Sequence, residues 1–284
     1  MLKIRTILFA IVFIFIASFV EPTNAQTWNS NAGGYNTGYG TVYGSFGLAM
    51  ATQNMYNTMQ MNIQRATMRQ AMINKWGKAA VEKAEANARA GRTSSAGNSA
   101  AASGPVIATP PPVRKYYGAF KPDASIVPGK NIADALGDTP EEKALLKQIV
   151  QATKSGFEAE ASAQALKNNI AGSLTFFIVA TSTIYNESDD PSDEAVQTLF
   201  NAIDQTIDEI PEFGKMSNAQ KQDLYNTFIG MAAIPLATYT EGKQTADAST
   251  VQTARQLAGE LIKMVLKVDP SKVKFSNGAW EFGK

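Results

Sequence analysis

An uncharged stretch from Asn169 to Tyr185, apolar on nearly every side, constrains the fold of this chain more than any other feature. A helix that is hydrophobic on every side lies either inside a protein or inside a membrane. At about 1.5 Å per residue this helix spans roughly 26 Å, which is shorter than the ~30 Å hydrocarbon core of a bilayer. We therefore predict that it is the buried central helix of a helical bundle, with a membrane span as the alternative.

The residues after 130 predict four more helices around this one, each with a single apolar stripe. Capping boxes begin two of them, at Thr139 with Glu142 and at Ser217 with Gln220. The last residues alternate in polarity around Asn277-Gly278, which favours a β-hairpin. The predicted fold is therefore all-α. It comprises a five-helix bundle (131–284) with a short C-terminal β-hairpin, preceded by a separate long N-terminal amphipathic helix.

The first 25 residues have the three parts of a secretory signal peptide. Lys3 and Arg5 supply positive charge, residues 7–20 are mostly apolar, and small residues precede a cleavage site at Ala25. The predicted mature protein is secreted or periplasmic, and an uncleaved membrane anchor is the alternative. Residues 26–47 are rich in Gly, Tyr and Asn, a composition typical of a flexible segment.

Residues 48–90 predict the amphipathic, methionine-rich helix, which needs a partner for its narrow apolar stripe. Methionine is common on adaptable binding surfaces, although such a stripe is more often a plain packing face. We predict interaction with a protein partner or with a second copy through this helix, and no binding of nucleic acid. The predicted contact residues are Met55, Met59, Ile63, Arg65, Arg69 and Trp76.

Residues 91–130 are rich in Pro, Ser and Ala and predict a linker. The two sides of this linker differ in charge. The residues from Leu48 to Lys115 carry a net charge of +7, and those from Tyr116 to Lys284 carry −7. Electrostatic docking of the N-terminal helix on the bundle is therefore a reasonable hypothesis, although single surface ion pairs are weak.

The chain has neither cysteine nor histidine, which excludes Cys/His zinc sites, cysteine nucleophiles and histidine-based triads. We predict no cofactor. The acidic residues Asp189, Asp190, Asp193 and Glu194 are weak candidates for a Ca²⁺ site. Asp204 and Asp208 lie four apart on the polar face of a helix, where a solvated face is the ordinary interpretation. The other interpretation of these two aspartates is an acid/base pair for catalysis. We therefore predict a secreted or periplasmic, non-enzymatic interaction or structural protein, and the alternative is a carboxylate-dependent hydrolase that acts on an extracytoplasmic polymer.

Four short segments resemble a known family. They are residues 118–122 (GAFKP), 168–171 (NNIA), 216–225 (MSNAQKQDLY) and 275–278 (FSNG). On these segments the chain, over about 118–282, is similar to the bacterial domain of unknown function 6683. The resemblance supports a domain boundary near residue 118 and leaves the function open.

Overall fold

The protein is described from a computed structural model, which covers residues 52–90, 113–161, 165–276 and 278–283. These residues form nine α-helices and one antiparallel β-hairpin. The prediction of a mostly helical protein that ends in a hairpin is confirmed.

The helices α1 and α2 are Thr52–Trp76 and Lys78–Ala90. The five longer helices that follow are α4 (Pro140–Ala161), α5 (Ile170–Asn186), α6 (Asp193–Glu209), α8 (Asn218–Gln244) and α9 (Ala248–Leu266). Two short helices, α3 (Lys130–Leu136) and α7 (Pro211–Lys215), lie between them, and the hairpin strands are β1 (Val273–Ser276) and β2 (Ala279–Phe282).

The apolar stretch is the centre of the core, as its composition predicts. Every residue of α5 from Ile170 to Ser182 is buried, and α5 packs against α6, α8 and α9. Its four buried hydroxyl groups bond to carbonyls of their own helix; the Thr175 and Thr181 hydroxyls, for example, donate to the carbonyls of Ala171 and Phe177. Internal pairing of this kind lets polar side chains occupy an apolar core. None of the helices in the described residues is long and apolar enough to cross a membrane.

Local signals begin the helices where the sequence predicts. The Asn169 side chain accepts a hydrogen bond from the Ala171 N–H at 2.8 Å and caps α5. The capping box at Ser217 and Gln220 is present at the start of α8. In the hairpin, the Trp280 indole is buried and donates to the Ala195 carbonyl at 3.1 Å, so the hairpin packs on the bundle through α6.

The N-terminal region differs from the prediction of one separate helix. Gly77 adopts φ +84°, which ends α1 and lets α2 begin as a second helix. Instead of standing apart, α1 packs along α6, with Met59 fully buried in the main core cluster. An isolated amphipathic helix is only marginally stable in water, because its apolar stripe stays exposed. Here the bundle covers that stripe.

The end of the predicted linker is also bound to the bundle. Residues 113–121, which we call the strap, run across α6, α5 and α8 before α3 begins at Lys130. Phe120 is buried and its ring lies edge-on to Tyr225, with centroids 5.2 Å apart. Tyr116, by contrast, remains exposed.

Candidate functional site

The C-terminal half of α6 is buried on every side. All residues from Ala202 to Asp208 are buried, although four of these seven residues are polar or charged. The expectation that Asp204 and Asp208 form a solvated face is therefore wrong. Other parts of the chain cover the polar side of this helix, the strap on one face and α1 on another.

The strap holds the two aspartates through one arginine and through main-chain N–H groups. Arg114 forms ion pairs with both carboxylates, and its Nε donates to Asp208 Oδ2 at 3.0 Å. The N–H groups of Lys115 and Tyr117 donate to the two oxygens of Asp208, each at 2.8 Å. The Asn169 amide nitrogen lies 3.3 Å from Asp204 Oδ1. These buried carboxylates are therefore paired and hydrogen-bonded.

The left-handed conformation of Tyr116, at φ +58°, shapes this contact. It turns the flanking N–H groups toward the same carboxylate, as in the main-chain nests that bind anions. Burial by itself would raise the pKa of Asp208. The hydrogen bonds from the N–H groups of Tyr117 and Lys115 and from Arg114 outweigh burial and lower that pKa. Asp208 is thus held as a carboxylate anion.

On its other polar face, α6 binds α1. The Asn62 side chain donates to the Thr206 hydroxyl at 3.1 Å, and Arg65 lies 3.7 Å from a carboxylate oxygen of Glu209. Arg65 also donates to the side-chain oxygen Oδ1 of Asn62 at 2.8 Å, which orients the Asn62 side-chain amide. The contact combines buried Met59 with a hydrogen-bonded polar network.

The predicted contact residues of the N-terminal helix are divided between two environments. Met59 is buried in the main core cluster, Arg65 lies near Glu209 of α6, and Arg69 pairs with Glu85 of α2 at 2.6 Å. Trp76 lies at the turn before α2 and is 37% exposed, with the Lys75 ammonium 4.7 Å from its ring centre. The side chains of Met55 and Ile63 lie outside the described part of the structure.

Two methionines that were not predicted as contact residues occupy the outer face of α1. Met61 is 56% exposed and Met68 is 67% exposed. They are seven residues apart, so they lie on one side of the helix, roughly opposite Met59 and Ala66. Helical periodicity identifies both methionine faces but does not tell which of them the bundle covers.

The acidic loop before α6 does not form a metal cluster in the described residues, where no three Asp or Glu side chains are grouped to hold an ion. Asp189 and Glu194 are exposed, while Asp190 and Asp193 are partly buried. Ser192 caps α6 by accepting from the Ala195 N–H, and Asp193 and Glu194 occupy its first turn. There they complement the helix dipole.

A small cavity of about 10 Å³ lies between α3 and α8. Asn226 and Asp223 line it, and burial raises the pKa of Asp223. The Asn226 amide is buried, and neither of its polar atoms has a hydrogen-bond partner among the described residues. The cavity has room for about one water-sized group, so it is far too small for a sugar or peptide unit.

Arg114 is the important residue that the sequence analysis missed. A signal for it was available: between Glu187 and Glu212 the chain has nine carboxylates and no basic residue. If part of that stretch is buried, its cations must come from a distant segment.

Comparison with known proteins supports the resemblance noted in the sequence and extends it. The sequence model of a family of unknown function, DUF6683, matches residues 2–282, far more than the C-terminal part that carried the resemblance. No curated protein and no solved structure matches the chain. The chain therefore belongs to the family of unknown function DUF6683.

Proposed function

We propose that this chain is a non-enzymatic interaction protein, secreted or periplasmic, in which a five-helix bundle domain carries the N-terminal helices α1 and α2 as its contact element. The partner is another protein or a second copy of the chain. The outward face of α1, formed by Met61, Met68 and Trp76, is the observation that carries the proposal.

This face has the properties of a contact surface. Its exposed apolar side chains share one side of a helix whose other side is anchored on α6. Methionine side chains adapt to partners of different shape. The α1 sequence contains no acidic residue, and the Lys75 ammonium lies beside the Trp76 ring, so a partner with acidic groups next to an apolar strip fits this face best.

The alternative of a carboxylate-dependent hydrolase has less support. An acid/base pair must reach its substrate, whereas Asp204 and Asp208 are buried and bound by the strap. The cavity near Asn226 contains one carboxylate and no room for a polymer.

Site-specific photo-crosslinking tests the contact surface. A photoreactive amino acid at position 68 is compared with one at position 127, where Val127 is also exposed and apolar but lies on the bundle. We expect adducts with a protein or a second copy in the native envelope fraction from position 68 and none from position 127. Equal adducts from both positions, or none from either, would contradict the proposal.

The location is tested separately. Export with cleavage at the predicted site gives a mature protein that begins at Gln26. N-terminal sequencing of the protein from the native host should therefore find Gln26, and an intact N-terminus on protein in the cytoplasmic fraction would refute export.

A further inference from the structure

The strap is bound to the bundle as a peptide ligand is bound to a receptor. Within the strap one main-chain hydrogen bond closes a turn, from the Ala119 N–H to the Tyr116 carbonyl at 3.1 Å. Its bonds to Asp208 and to Lys221 join residues more than 90 positions apart in the chain. The strap conformation is thus set chiefly by the surface on which it lies.

One end of the strap is recognised by charge. The Asp204 and Asp208 carboxylates are almost fully buried, and Arg114 is their cationic partner. A buried carboxylate pair without its cation is strongly unfavourable. The site therefore selects a segment with an arginine followed by N–H groups that can wrap around one carboxylate.

The other end is recognised by shape and by main-chain pairing. The Phe120 N–H donates to the Asn168 carbonyl at 3.1 Å, and the Ile170 N–H donates to the Gly118 carbonyl at 2.9 Å. A Cβ atom at Gly118 would lie 2.5 Å from the Asn169 side-chain oxygen, so a larger residue there would displace the side chain that caps α5. The Phe120 ring then fills the space beside Tyr225.

We propose that the groove formed by α5, α6 and α8 is a peptide-binding site specific for an arginine followed, four and six residues later, by glycine and phenylalanine. Residues 113–121 occupy it within the chain, and the same segment of a second copy is the ligand that can replace them. Such an exchange would join two copies through their straps, independently of the outward face of α1. This inference concerns another surface and does not depend on the proposed function.

The test is peptide binding to the full chain carrying Arg114→Gln, which weakens the resident strap. A fluorescent peptide with the sequence of residues 113–122 is compared with a control peptide that has Gln in place of its Arg. We expect the arginine peptide to bind at least about tenfold more tightly, because it restores charged hydrogen bonds to a buried carboxylate. It should bind more weakly to the unchanged chain, where the resident strap competes. Equal binding of both peptides, or no binding to a variant that still unfolds cooperatively, would overturn the proposal.

Hydrogen exchange on the unchanged chain provides a second measurement if the variant does not fold. An excess of the arginine peptide should capture molecules whose strap has opened. The N–H groups of Lys115 and Tyr117 should then exchange faster, while those of α5 keep their rates. If the strap N–H groups exchange no faster with the arginine peptide than with the Gln control peptide, the peptide does not replace the strap.

Discussion

At the scale of single residues, Asp208 depends on several partners at once. Its carboxylate is buried, yet each oxygen accepts a main-chain N–H, and Arg114 pairs with it. Such a group is stabilising only while all its partners are present, because a buried charge that loses them is costly. Asp208 thus connects the course of the strap to the stability of α6.

We predict that Asp208→Asn lowers the free energy of unfolding at pH 7 by about 3 kcal/mol, because it leaves Arg114 without a full partner. Urea denaturation measures this, with Glu212→Gln at an exposed site as the control. A loss below 1 kcal/mol would show that the pair contributes little.

The unchanged chain and the Asp208→Asn variant should also differ in how their stability depends on pH. The pKa of Asp208 is lowered in the folded state, so its contribution to stability is present above the unfolded pKa of about 3.9 and is lost as the pH falls through the folded value. The stability difference between the unchanged chain and Asp208→Asn should therefore shrink below about pH 4. Denaturation curves from pH 7 to pH 3 test this, and a constant difference would be inconsistent with it.

The backbone at Tyr116 offers a second test at this scale. Because its φ is +58°, a β-branched residue there is strained, whereas glycine is not. We predict that Tyr116→Val costs about 1 to 2 kcal/mol and that Tyr116→Gly is close to neutral. Thermal unfolding of both variants compares them, and equal losses would mean that the nest geometry is unimportant.

At the scale of elements, α5 and α6 show two ways to bury a helix. The first is apolar on nearly every side, and its buried hydroxyls donate to carbonyls of the same helix. The second is amphipathic, and it becomes buried because the strap and α1 supply partners for its polar face. The central position of α5 was predictable from composition, whereas the burial of α6 depends on segments far away in the chain.

Phe177, in the middle of α5, tests which helix is central. It is fully buried and lies near Phe228, with ring centroids 6.1 Å apart. We predict that Phe177→Ala costs ~3–5 kcal/mol. Thr183→Ala, at the less buried end of the same helix, is the control and should cost less than about 1 kcal/mol. A Phe177→Ala loss no larger than the control would place the core elsewhere.

At the scale of the whole molecule, a basic N-terminal helix lies on an acidic bundle. The sequence predicts this attraction, but the cross-contact is not mainly ionic. Arg65 and Glu209 are 3.7 Å apart and both about one-third exposed, and such pairs contribute little. Buried Met59 and the bond between Asn62 and Thr206 define the position of α1.

We predict that Met59→Ala lowers the stability of α1 docking by about 2 kcal/mol. Met61→Ala, two residues away on the exposed face, should change it by less than about 0.5 kcal/mol. Hydrogen exchange of residues 52–90 distinguishes undocking of α1 and α2 from global unfolding of the chain. Equal effects of the two substitutions would show that α1 does not use this face.

The sequence alone determined the features that depend on neighbouring residues or on composition. These include the central apolar helix, the caps at Asn169 and Ser217, the terminal hairpin and the absence of Cys and His chemistry. Only the tertiary structure decided which methionine face of α1 is covered and that Asp204 and Asp208 are buried. The physical reason is distance along the chain. Periodicity shows that a helix has a polar face, but water and a strap 90 residues away satisfy that face equally well, and only the folded chain determines which of them does.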